Sequence, residues 1–165
     1  MLSKLKIPLN ILFIATVLLF TLDNSKDFDI KNQAIKSIVY IGLLIETPLI
    51  LIYNFFIFKT QKEKAIGTIF PALIVIAILI IGPLKIYASI NAWKTQTILY
   101  KNSHSNSKTI EFQMQKSDAL GYNMRTVEVM YLTNLFMIIK EVPIDIDKRV
   151  EWIKVNQDMN ELKIK

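Results

Sequence analysis

The sequence predicts an α+β membrane protein: three transmembrane helices, then a small antiparallel β-sheet of about four strands outside the membrane, closed by a short C-terminal helix. Three observations lead there. The first half carries three apolar runs, 7–22, 37–58 and 65–84, with one charge among them. A helix rises about 1.5 Å per residue and a bilayer core is about 30 Å thick, so the second and third runs suit a crossing. The first is slightly short, with Lys6 reaching to the headgroups at one end. After Trp93 the apolar spacing changes from helical to every second residue. The chain therefore divides into a membrane region, 1–92, and a β-rich domain, 93–165.

The run 37–58 organises the rest, because only Glu46 in it is charged. The first run, 7–22, lies between Lys6 and Asp23. A positive start before an apolar core also describes a cleavable signal peptide. Thr21, Leu22, Asp23 and Asn24 give no small-residue cleavage pattern, so a retained helix is expected, with cleavage as the alternative. The connection 23–36 holds three acids and three lysines. Asp23, Asp27 and Asp29 lack the central Gly and closing Glu of a calcium loop, and a solvated loop is expected.

The third run, 65–84, is uncharged, with Pro71 and Pro83 as points of bending and Gly67 and Gly82 permitting close approach near its ends. Ile86, Ile90 and Trp93 continue the helical spacing, and Tyr87 and Trp93 suit the headgroup layer, where amphipathic aromatics collect. Lys4 and Lys6 precede the first run, and Lys59, Lys62 and Lys64 fill the second connection against one Glu. The positive-inside rule then places the N-terminus inside and everything after Trp93 outside, which in a bacterial inner membrane is the periplasm.

Beyond Trp93, 95–100 is rich in β-formers and is followed by KNSHSNSK, a turn composition. In 109–115, Ile110, Phe112 and Met114 alternate with Glu111, Gln113 and Gln115, the pattern of a half-buried strand. A turn over 117–123 leads to 125–133, where Val127, Val129 and Tyr131 share one face. The run 135–139 (LFMII) reads as a buried strand. Phe112, Tyr131 and Phe136 read as core. In the tail, Ile146, Val150 and Ile153 fit one helix face; the same stretch, with Trp152 and Val155, also suits an edge strand.

Composition removes several functions. No Cys means no disulfide, thiolate nucleophile or cysteine-bound metal, and a single His, His104, leaves few histidine-based metal sites. No metal and no cofactor is expected. The net charge of +6 collects at helix ends; from Trp93 onward 11 Lys/Arg stand against 9 Asp/Glu, with no arginine stripe for nucleic acid. His104 between Ser103 and Ser105 lacks a nucleophile-elbow glycine pattern and an orienting acid, so a solvated turn is expected.

Two groups remain as candidate sites. Gly42, Glu46 and Tyr53 fall on one face of the second helix, and Thr16 of the first lies at similar depth. A charged carboxylate at that depth costs about 2.5 kcal/mol or more. Glu46 is therefore either a neutral acid hydrogen-bonded within the bundle, a contact for a partner helix, or an ion relay. Tyr122, Asn123, Arg125 and Glu128 are the best candidates for a partner-binding edge, against the plainer reading of turn geometry and a surface ion pair. The expected function is a non-enzymatic inner-membrane accessory protein, in contact with membrane lipid and a protein partner, an immunity protein being one version. The alternative is a small transporter or channel subunit using Glu46.

Overall fold

The computed structural model describes residues 5–117, 121–142 and 145–164. Lys4, and Asp118, Ala119 and Leu120 of the expected turn, lie outside the described residues. The architecture is α+β, with helices first and an antiparallel sheet after them. The elements are α1 (Lys6–Asp23), β1 (Phe28–Ile30), α2 (Gln33–Ile57), α3 (Gln61–Ile81), α4 (Pro83–Ala88), β2 (Lys94–Asn102), β3 (Lys108–Ser117), β4 (Gly121–Tyr131), β5 (Phe136–Glu141) and β6 (Trp152–Asp158).

Helices α1, α2 and α3 are each long and apolar enough to cross a membrane. The apolar runs continue into polar flanks, so α2 begins at Gln33 and α3 at Gln61. Thr60 caps α3: its hydroxyl accepts from the Glu63 backbone N–H while the Glu63 carboxylate accepts from the Thr60 N–H. The expected continuation of the third helix through Trp93 does not form. Gly82 takes φ 95°, a conformation that strains any residue with a Cβ, and the chain restarts as the short α4.

Two compact units result. The first comprises Met1–Thr21 and Ser37–Ile90, the second Leu22–Lys36 and Asn91–Lys165. In the first unit the helices are joined by apolar contacts such as the edge-on pair Phe13–Phe70. They are also joined by one amide bridge. Asn10 and Asn54 donate to each other's carbonyl oxygens at 3.1 and 2.9 Å, and Asn54 Nδ2 also donates to the Gly67 backbone oxygen at 2.8 Å. One buried carboxamide thus links α1, α2 and α3.

The second unit is a six-stranded sheet in the order β1-β5-β4-β3-β2-β6, two strands more than expected. One extra strand, β1, comes from the connection 23–36, which is not a solvated loop. It pairs with β5, Asp29 opposite Met137, and Asp23, Asp29 and Lys36 are all buried. Opposite charges within that segment neutralise one another, so its polarity does not hold it in water. The other extra strand is β6, formed where a C-terminal helix was expected. Among the described residues there, only a single 3-10 turn at Ile146–Lys148 is helical, and Trp152–Asp158 pairs with β2. A helix at this point would have left the edge of β2 bare.

Candidate functional site

The residues singled out on the second helix come together. The Thr16 hydroxyl donates to Glu46 Oε2 at 3.0 Å, and a Cβ added to Gly42 would stand 3.6 Å from both Glu46 Oε1 and Thr16 Cγ2. Glu46 and Tyr53 line one groove of about 320 Å³ between α1 and α2, whose other walls are Leu9, Leu12, Leu49 and Ile50. Glu46 is the one acid in a largely apolar groove. Pro48 sits inside the same helix two residues on.

The four candidates on the sheet divide between two faces. On β4, residues of one parity share a face. Tyr122 and Glu128 therefore lie on one side, Asn123 and Arg125 on the other. Tyr122 is 42% exposed beside Met124 at 62%. Glu128 stands opposite Ile110 and Lys140 and, with Lys108, rims a small cleft of about 30 Å³. Asn123 donates to Gln115 at 3.3 Å on the neighbouring strand.

Arg125 is in none of the positions expected of a surface residue. Its Nη2 donates to Asp29 Oδ2 at 2.5 Å, its Nε and Nη2 both donate to Gln113 Oε1, and its guanidinium lies 4.1 Å from the centre of the Trp93 ring. Trp93 is therefore an arginine platform inside the sheet unit. Lys36 reaches Asp23 Oδ2 at 2.9 Å and Asp29 Oδ1 at 3.3 Å, and Asp23 Oδ1 also accepts from the Ile30 backbone N–H. Burial pushes the Asp29 carboxyl up from the ordinary aspartate range, against the downward pull of Lys36 and Arg125. Burial likewise pulls the Arg125 guanidinium down, opposed by Asp29.

The network continues to Glu111, which is fully buried. Its Oε2 accepts from Thr95 at 2.6 Å and Gln113 at 2.9 Å; its Oε1 accepts from Thr109 and Tyr131, each at 2.6 Å. Four donors from three strands fill the four acceptor positions of one carboxylate. Burial, and then the Glu111 charge, push the Tyr131 phenol far above its usual value. Among the described residues no buried side-chain nitrogen or oxygen lacks a hydrogen-bond partner.

Sequence reasoning missed this cluster because it took the polar face of β3 for the solvent face. The alternation was legible, but both faces are covered at Ile110 and Glu111. Asn10 and Asn54 were missed as well; an amide inside each of two apolar runs was the available signal. Ser103 Oγ and His104 Nδ1 lie 2.9 Å apart on an exposed turn.

At its far end the β3–β4 hairpin forms an arm that runs on beyond β5, while on the other side Asn91 accompanies β3 as far as Lys116. β4 pairs with β3 from Gly121 onward but with β5 only over Val127–Tyr131. Among the described residues, the outer edge of β4 from Gly121 to Thr126 faces no strand. Lys116 opposite Tyr122 and Met114 opposite Met124 give this arm one largely apolar face. Comparison with known proteins gives no match to a family model, to a curated protein or to a solved structure.

Proposed function

We propose that this protein is a non-enzymatic accessory protein of a bacterial inner membrane, with its sheet unit on the periplasmic side, where it binds another protein. The observation that carries this is the stretch of β4 that extends past β5, an open strand edge among the described residues beside exposed Tyr122 and Met124. Open edges accept an added strand through backbone hydrogen bonds, while exposed side chains supply specificity. The mutual engagement of the charged groups inside the sheet favours binding over chemistry.

Membrane placement is supported by three helices of sufficient length and hydropathy. The inward position of the N-terminus is supported by the lysines between α2 and α3. An immunity protein, neutralising a toxin from a competing cell, is one form of this function: it needs a membrane anchor and an outward binding surface, and no catalytic set. Co-purification from mild detergent tests it. The wild-type chain should carry a partner that Tyr122→Ala combined with Met124→Ser releases, with at least a tenfold loss of affinity. A wild-type chain that elutes alone counts against the function.

A second reading, a small transporter or channel subunit, is favoured by Glu46 facing the groove between α1 and α2. It requires a pH-dependent flux in proteoliposomes that Glu46→Gln abolishes; unchanged flux in that variant removes it.

A further inference from the structure

We propose that the groove between α2 and α3 binds one anionic phospholipid, its acyl chain in the groove and its phosphate on the lysines at the groove's end. The inference rests on the membrane placement above and adds a ligand class. This groove, of about 400 Å³, is separate from the one that holds Glu46; its walls include Ile52, Phe55 and Phe56 of α2 and Thr68, Ile69 and Ala72 of α3. The Thr68 hydroxyl donates to the Lys64 backbone oxygen at 2.7 Å. The one polar side chain in the lining is thereby satisfied by its own helix, and what remains suits a hydrocarbon chain.

The polar end is built by the same helices. Lys64, Thr68 and Ala72 follow at four-residue intervals and so lie on one stripe of α3. The Lys64 ammonium stands 5.0 Å from the centre of the Phe55 ring, at the rim of the groove. Lys59 lies two residues beyond the end of α2, and Lys62 is in the first turn of α3. Lys6 stands 3.7 Å from the centre of the Phe58 ring, a fourth cation at this end of the bundle. Against them stands Glu63, whose carboxylate is engaged in the α3 cap. Lys59, Lys62 and Lys64 form no ion pair among the described residues. The α3 N-terminus adds a partial positive charge of the same sign.

Apolar walls leading to a cluster of lysines at headgroup depth complement a lipid with a negative phosphate and no compensating cation. A zwitterionic lipid fills the same walls but gains far less from the lysines. A partner helix gains from the walls, but uses the cations only if it brings acids to the same end.

Native mass spectrometry of the full chain released from mild detergent, titrated with phosphatidylglycerol and phosphatidylcholine of matched chains, tests this. Phosphatidylglycerol should be retained about tenfold more strongly. The combined change Lys59→Gln, Lys62→Gln and Lys64→Gln should bring it down to the phosphatidylcholine level. Ala72→Leu should lower phosphatidylglycerol retention with every lysine in place. Glycerol phosphate and inorganic phosphate should not displace the lipid. Equal retention of the two lipids by wild type, a preference that survives the lysine changes, or displacement by free phosphate overturns the proposal. If Ala72→Leu fails to fold, the lysine variant decides. Flotation with liposomes separates the premises: a chain that floats without lipid preference overturns only the lipid site. A chain that stays in the aqueous fraction overturns membrane placement too.

Discussion

Glu111 and Arg125 show how far a side chain's role departs from its type. A glutamate alternating with apolar residues on a strand is ordinarily a solvent-facing group, and an arginine near a hairpin end an ordinary surface charge. Here Glu111 collects donors from Thr95, Thr109, Gln113 and Tyr131, while Arg125 joins Asp29 to Gln113. Removing one partner from such a set leaves a buried polar group unsatisfied. Tyr131→Phe, which takes one donor from Glu111, should destabilise the chain at neutral pH by about 1–3 kcal/mol. It should also change the alkaline limb. The folded Tyr131 phenol titrates above its ordinary value near 10, so the unfolded chain releases a proton that the folded chain keeps. The associated stability is fully present below that value and is lost as pH rises beyond it. Tyr100, raised by its hydrogen bond to Asp147, acts in the same direction. Melting of the full chain in detergent between about pH 9 and pH 11 should therefore fall less steeply in Tyr131→Phe than in wild type. Parallel slopes would remove this account of Tyr131.

Strand β6 and helix α3 each carry a local device that sets how the element ends or packs. β6 is the longer of the two sheet edges, with exposed Ile153 and Val155. Its pairing shifts between Ile98 opposite Gln157 and Tyr100 opposite Lys154, so Val155 and Asn156 face the single residue Leu99, and Asn156 takes φ 45°. That bulge, with Lys154 beside it, blunts the edge against further strands. The arm of β4 has no such bulge, which favours it over β6 as the proposed binding edge. On α3, a Cβ at Gly67 would come within 2.3 Å of the Phe58 ring. Gly67→Ala should therefore displace Phe58, release Lys6 from that ring and cost about 1–3 kcal/mol. Phe58→Ala in the same chain should recover part of the loss, since it removes the clash. A double variant no more stable than Gly67→Ala would show that the ring is not what requires glycine.

The whole chain folds as two units, with the segment Leu22–Lys36 belonging to the sheet unit although it lies between the first two apolar helices. If the lysine pattern sets the orientation, a phosphatase fused after Ile164 should be active only outside the cytoplasm, and a fluorescent reporter that matures in the cytoplasm should stay dark there. The reverse result would invert the topology. The three helices and the strands of 95–139 were legible from the sequence. Uninterrupted apolar length and two-residue alternation are local signals, and burying apolar surface rewards the same pattern in any fold. The Thr16–Glu46 pairing was also in reach, because helical geometry converts residue number into depth. The charged interior, β1 and β6 were not. Asp29 meets Arg125 across 96 positions of chain, and β6 forms because β2 offers an edge. Hydropathy and period, set by neighbours in the chain, determined where the apolar helices and central strands lie. Which polar groups could be buried was decided only by the tertiary structure, since a charge enters the interior only where the fold assembles its partners, near or distant in the chain.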